Sequence, residues 1–328
     1  MLKPVIGFFE SIIVIIVVLF GMGQFVPVVG DYLTQLDRMD IYANQARCSV
    51  PATIVYDVIW EHFEAARDDG KAPKALVIAY DGARADALVN MVEGASGILA
   101  LQEGGGKVYN MYVGGPSRIR PSQIQGTDTA QGFAAMLTGV WAQSIGGRPG
   151  NGVTHNGVRK PKDAPPILFN ALLEAELVES TSFIVSWNGH FGTHTNPTYI
   201  YDVEYAVANS LNAQYITAAN DAATRLETLA AIGDPNGPDL IFNILEHVDS
   251  AGHGSGFGNY SPRYVEAFRT SDRYGLDFIN AVHERPSYAN EDWLILIVSD
   301  HGGIATGHGP QFAIIRQVFV AANKDMGW

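Results

Sequence analysis

The sequence predicts an α/β fold: a mostly parallel central sheet with helices on both faces, preceded by one N-terminal transmembrane helix. Three observations predict it. From residue 51 onward, short apolar runs alternate with longer stretches patterned as helices. Three of those runs end in Asp-Gly, in Asp with a His four residues later, or in Asp-His. Ahead of them stands an almost wholly apolar stretch, residues 4–30, in which Glu10 is the only charge.

That first stretch contains 19 residues, 11–29, free of charge, enough to cross a bilayer core at about 1.5 Å per residue. Lys3 precedes it and Asp31, Asp37, Arg38 and Asp40 follow, a bias that leaves the N-terminus inside. Residues 1–30 therefore read as an anchor in the lipid bilayer, with the remainder outside the cytoplasm. A cleaved signal segment and a secreted product is the rival reading. No clear small-x-small cleavage site stands near Met22, where the apolar stretch runs on to Val29, and Cys48 lacks a convincing lipobox. Residues 31–50 read as a polar juxtamembrane segment, and residues 51–328 as one globular domain.

Within that domain, residues 51–69 are expected to form a helix leading into the first strand. Strands are expected over residues 75–80, 108–113, 182–186, 240–245, 293–299 and 318–322. Helices are expected over residues 86–92, 129–137, 166–177, 209–232 and 262–283. The 129–137 helix has Asp128 or Thr129 as its cap and Gly139 as its stop.

Composition sets the outer limits. A chain of 328 residues with 47% hydrophobic and 17% charged residues supports a sizeable core. A formal charge of −13, from 21 basic and 34 acidic residues, argues against a nucleic-acid-binding surface, which needs basic side chains. Cys48 is the only cysteine, which excludes an intrachain disulfide and a thiolate metal cluster.

The chemistry gathers at four places. Asp300-His301 closes an apolar run, and His308 follows on a glycine-rich loop. Asp81-Gly82 closes another run, and Asp249 with His253 follows a third. The fourth is Thr127-Asp128-Thr129, a hydroxyl-rich loop opening a helix. Strand ends of this kind converge on the carboxyl edge of a parallel sheet, where open α/β sheets place their sites. Carboxylates mixed with imidazoles suit a divalent transition metal. Blander readings exist for each. Asp81-Gly82 is an ordinary strand-to-turn exit, and Thr127, Asp128 and Thr129 are all good helix caps. His247 reads as a structural histidine inside an apolar strand, and His62 and His283 as packing or surface residues on helices. In the loop 186–196, Trp187, His190, Phe191 and His194 either stack on a substrate group or pack the loop onto the sheet, and packing is favoured.

As a set, these motifs resemble the alkaline phosphatase superfamily, in the branch of type I phosphodiesterases and nucleotide pyrophosphatases with a threonine nucleophile. The resemblance runs from about Lys74 to the C-terminus. It implies an alkaline phosphatase-like catalytic domain that hydrolyses small phosphate esters through a covalent phospho-enzyme. It also implies two divalent metal ions, with zinc expected and manganese or iron compatible. Asp249, His253 and His308 would hold one; Asp81, Asp300 and His301 would hold the other, joined by the Thr129 oxygen. Thr129 is placed as nucleophile by Thr138-Gly139, nine residues on, and Thr127 is the runner-up. In the glycine-rich loop 152–158, Asn156 matches the phosphate-binding asparagine, with Asn151 second. Asn156-Gly157 also reads as a plain turn dipeptide. One departure is Gly132, where an asparagine is common in the branch. A phosphomonoesterase is the nearest alternative; a sulfatase, a phosphotransferase and a metal-binding pseudoenzyme are further ones. No Cys or Ser stands in the Cys/Ser-x-Pro-x-Arg setting of a sulfatase nucleophile, and no Lys or Arg occupies a monoester-clamp position. Oligomeric state is not legible in the sequence.

Overall fold

In the central strands nearly every residue is buried, which marks a sheet covered on both faces. The computed structural model describes residues 50–65, 70–116, 124–141, 166–192 and 197–328. Eight strands form one sheet: β1 Val50–Pro51, β2 Ala72–Tyr80, β3 Lys107–Tyr112, β4 Thr181–Val185, β5 Ala213–Thr217, β6 Leu240–Leu245, β7 Glu291–Val298 and β8 Gln317–Ala322. Their order is β1-β3-β8-β7-β2-β6-β4-β5. All neighbours pair in parallel except β8, which runs antiparallel to both β3 and β7. The α/β fold with a mostly parallel sheet is therefore present, as a mixed sheet.

Alternate residues of the strands feed two cores. Val77, Ala79, Phe242, Ile244, Leu294 and Leu296 face one, which the helices Ile54–Glu64, Thr129–Thr138 and Leu168–Glu174 cover. Leu76, Ile78, Tyr80, Ile241, Ile295 and Ile297 face the other, under the long helix Pro262–His283. Ser261 caps that helix by accepting from the Tyr264 N–H, and Pro262 fills its first turn.

Four expectations change. Residues 209–232 do not form one helix: Ala213–Thr217 is an edge strand paired with β4, and a helix follows over Asp221–Gly233. The run Tyr215-Ile216-Thr217 favours extended backbone, and Asn220 caps the helix by accepting from the Ala223 N–H at 3.0 Å. Pro51, expected to open the first helix, pairs with β3 together with Val50, and the helix starts at Ile54. The helix expected at 86–92 is a single turn, Ala87–Asn90. Finally, His247 and Asp249 are not on a strand: β6 ends at Leu245, and a helix, His247–Ser255, starts just beyond it.

No helix among the described residues is long and apolar enough to cross a membrane. The expected N-terminal anchor, residues 1–30, lies outside the described residues, as do nearly all of 31–50 and also Asn151, Asn156 and His194.

The register places the site. Ala79 pairs with Val298, so Asp81 and Asp300 each stand two residues past a paired position on adjacent strands. Tyr80 pairs with Leu245 on the other side, and the Asp81 N–H donates to the Leu245 carbonyl at 3.0 Å. The ends of β7, β2 and β6 thus lie side by side at the carboxyl edge of the sheet.

Candidate metal centre

Asp81, Asp300 and His301 meet at this edge, all fully buried. His301 Nε2 lies 3.2 Å from Asp81 Oδ1 and 3.5 Å from Asp300 Oδ2. Its Nδ1 is 2.9 Å from the Gly302 carbonyl. A carbonyl only accepts, so Nδ1 carries the proton and Nε2 is the nitrogen offered to a ligand. Asp300 Oδ1 accepts from the Gly82 N–H at 3.1 Å. Asp81 Oδ2 and Asp300 Oδ2 are buried with no hydrogen-bond partner. Burial, and then the Asp81 charge, push the Asp300 carboxyl well above the usual range. Burial opposes the charge on His301, but Asp300 and Asp81 outweigh it and raise the imidazole well above its ordinary value. Burial also opposes the charge on Asp81, and its contact with His301 outweighs that and lowers it. A lone proton on His301 compensates two buried carboxylates poorly. A divalent cation would satisfy both orphaned oxygens and Nε2 together, so this donor set fits one.

Asp249, His253 and His308 form the second group. Asp249 and His253 share one face of the His247–Ser255 helix, four residues apart, with His253 Nε2 3.3 Å from Asp249 Oδ2. His308 Nε2 is 3.6 Å from Asp249 Oδ1, which has no hydrogen-bond partner. The two Nε2 atoms of His253 and His308 face each other at 3.0 Å. His253 Nδ1 donates to the Thr306 carbonyl at 2.9 Å, so two neutral rings would point lone pairs at each other. A proton or a cation must lie between them. The Asp249 hydrogen bond raises His253, while burial and then the His301 charge lower His308. These donors, too, suit a divalent ion.

Thr129 opens the helix Thr129–Thr138 beside the first group. Its Oγ1 is 3.2 Å from His301 Nε2 and 3.4 Å from Asp81 Oδ1. Asp128 precedes it in extended backbone, and Gly139 ends the helix in the left-handed region, as the sequence predicts. Gly132 lies one turn on. A Cβ there would sit 2.4 Å from the Asp300 carbonyl oxygen, so the helix approaches the Asp300 loop only without a side chain. That accounts physically for the departure at this position. The Thr127 hydroxyl is committed elsewhere, donating to the Pro310 carbonyl at 3.0 Å.

Three further side chains, which the sequence does not assign to the centre, border it. The Glu246 carboxyl lies against Asp81; burial, and then the Asp81 charge, push it well above the usual carboxylate range. His190 Nε2 is 3.7 Å from Glu246 Oε1. Its ring is fully buried, stacked on Tyr199 and edge-on to Phe133 and Trp187, and burial lowers it to about 4. The favoured packing role of the 186–192 loop thus holds for its described part. Asp128 is the third: its Oδ1 lies 3.0 Å from His308 Nδ1. The one available signal was position, Glu246 directly after a strand and Asp128 directly before Thr129. Of the remaining histidines, His247 is half exposed with Nδ1 3.3 Å from Asp221 Oδ2. His62 Nε2 bridges the Lys74 and Asp292 carbonyls at 3.0 and 3.1 Å, a packing role as expected. His283 packs edge-on against Tyr288.

Residues 75–314 match the sequence model of a family described as Type I phosphodiesterase / nucleotide pyrophosphatase. No curated protein matches the chain. Among solved structures, a 2-O GAG sulfatase is 14% identical at a TM-score of 0.49, over 76% of this chain and 64% of that one. An inactive form of murine ectonucleotide pyrophosphatase / phosphodiesterase 5 in complex with AMP is 15% identical at a TM-score of 0.43, over 70% and 57%. The C-terminal periplasmic domain of EcEptC from Escherichia coli, in complex with Zn, is 14% identical at 0.42, over 78% and 74%. The chain spans less than two thirds of the length of the sulfatase and of the murine protein.

Proposed function

Because the chain belongs to the type I phosphodiesterase / nucleotide pyrophosphatase family, we propose that it hydrolyses small phosphate esters with Thr129 as nucleophile and two bound divalent ions. The observation that carries the reading is the Thr129 hydroxyl, 3.2 Å from His301 Nε2 and 3.4 Å from Asp81 Oδ1 at a helix N-terminus. Asp81, Asp300 and His301 would hold one ion, with the Thr129 oxygen, and Asp249, His253 and His308 the other. Zinc is the expected metal, and manganese or iron would suit the same donors. Bound there, two dications lower the pKa of the nucleophilic hydroxyl and offset charge developing on the phosphoryl oxygens.

The chain's own residues supply the rest. Thr129 Oγ1 loses its proton to solvent and attacks phosphorus, the ester P–O bond breaks, and the leaving oxygen departs with its electron pair and takes up a proton from solvent. Water then cleaves the threonyl phosphate and returns the hydroxyl. The N-terminus of the Thr129–Thr138 helix favours a phosphate oxygen at that point. Asn156 is proposed as a donor to the same phosphoryl oxygens. Asn156→Ala is expected to lower turnover and leave metal content unchanged; unchanged turnover removes it from the mechanism.

The substrate is proposed to be a diester, with a monoester as the second reading. Release of p-nitrophenol from mono- and bis-p-nitrophenyl phosphate, with and without zinc, tests both. Zinc-dependent turnover is expected, and the ratio of the two rates assigns the class. No turnover on either by zinc-loaded protein would sink the hydrolase reading. We further propose that residues 1–30 anchor a catalytic domain, 51–328, outside the cytoplasm, with 31–50 as the juxtamembrane segment and secretion after cleavage as the alternative. Recovery of the full chain in an alkali-washed membrane fraction is expected; recovery as a soluble cytoplasmic protein would overturn it.

A further inference from the structure

The three imidazoles of the centre all turn Nε2 inward, and each ties its Nδ1 to an oxygen. For His301 and His253 that oxygen is a backbone carbonyl, of Gly302 and Thr306, each at 2.9 Å. For His308 it is a carboxylate, Asp128 Oδ1, at 3.0 Å. Asp128 occupies the N-cap of the Thr129–Thr138 helix, yet its side chain makes no capping hydrogen bond. An aspartate at that position ordinarily accepts from an N–H of the first turn. Here the carboxylate is aimed away from the helix, across 180 residues of sequence, at the histidine.

The surrounding backbone holds it there. The Gly309 N–H donates to the Thr127 carbonyl at 3.1 Å, and the Thr127 hydroxyl donates to the Pro310 carbonyl at 3.0 Å. The loop carrying His308 is therefore strapped along the two residues before Thr129. Gly309 has a φ of +100°, and a Cβ on it would meet Asp128 Oδ1 at 3.1 Å. A side chain at 309 would press on the oxygen that His308 uses.

We propose that Asp128 is a positioning residue for the second metal site, acting through His308, and that it links occupancy of that site to the placement of Thr129. The inference rests on the metal-dependent reading above. A carboxylate on Nδ1 fixes the proton on that nitrogen, leaves Nε2 as the ligand atom, and makes the ring a stronger donor. Because the peptide of Thr129 follows directly, the same bond holds the start of the nucleophile's helix at a set distance from the Asp249, His253 and His308 donors.

The test is zinc titration of the full chain by calorimetry, with zinc alone as the probe. Wild type is expected to bind two equivalents. Asp128→Ala is expected to weaken one equivalent by about 10–100-fold and leave the other unchanged. Asp128→Asn keeps an acceptor for Nδ1–H without the charge and is expected to fall between. In a His308→Ala background, which lacks that equivalent, Asp128→Ala is expected to leave the affinity of the remaining equivalent and the urea midpoint unchanged. If Asp128→Ala fails to fold, Asp128→Asn alone decides, through the same comparison with and without His308. Wild-type affinity at both sites in the Asp128 variants would overturn the inference and leave the metal reading standing. A lower urea midpoint or a weaker remaining equivalent on adding Asp128→Ala to His308→Ala would show that Asp128 acts independently of His308 and also overturn it. Failure of wild type to bind zinc would overturn both.

Discussion

The rings of His301 and His308 stack, with centroids 4.0 Å apart and planes 29° from parallel, although they belong to different donor groups. The two groups are thus neighbours that share a wall of imidazole. Each histidine nevertheless turns Nε2 to its own carboxylates, His301 to Asp81 and Asp300 and His308 to Asp249. His301→Ala is expected to abolish one zinc equivalent and His308→Ala the other, read by elemental analysis of dialysed protein. If both variants still hold two equivalents, the division into two sites is wrong.

Thr129 is the group whose loss ought to separate chemistry from metal binding. Thr129→Ala is expected to lower turnover by roughly 10³-fold or more, since it removes the oxygen proposed to form the bond to phosphorus. Thr129→Ser keeps that oxygen and is expected to retain measurable turnover with zinc content unchanged. Equal rates for Thr129→Ala and wild type in the p-nitrophenol assay would reject the nucleophile.

Gly132 makes a steric prediction. Its absent Cβ leaves room for the Asp300 backbone, 2.4 Å from where that carbon would lie. Gly132→Asn, the residue common in the branch, is expected to push the helix off the Asp300 loop. Overpacking of this kind costs about 1–3 kcal/mol, visible as a lower urea midpoint, together with weaker zinc binding at the buried site. An unchanged midpoint and zinc affinity would show that the loop can retreat at no cost.

His190 sets a pH dependence that needs no metal. Burial holds its folded-state pKa at about 4, against 6.5 for an ordinary histidine. Between those values the unfolded chain binds a proton that the folded chain refuses. Stability therefore falls as pH drops through that window, by about 3 kcal/mol at most. Urea midpoints of wild type and His190→Phe, measured from pH 7 to 4, are expected to diverge, with the variant losing less on acidification. Parallel curves would mean that His190 takes up its proton equally in the folded and unfolded states and sets no pH dependence.

Much of the centre was local in sequence and therefore legible. Asp81, Asp300 and His301 follow strands whose continuous apolar runs announce them, and Asp249 with His253 is an i, i+4 pair. Carboxylates mixed with imidazoles suit divalent ions by their chemistry alone. The strands β2, β6 and β7 were legible for the same reason, being buried on both faces. The edge strand β5 was not: its side chains are half exposed, and their pattern merged with the helix that follows. The sequence by itself determined which carboxylates and imidazoles stand just past the apolar runs, and where the central strands run. Tertiary structure alone decided that Asp128 reaches His308, that Thr127 spends its hydroxyl on Pro310, and that Glu246 and His190 crowd behind Asp81. Those contacts span up to 183 residues, and no local periodicity encodes them. They depend on the order in which the strands pack and on close approaches that glycine at 132 and 309 permits.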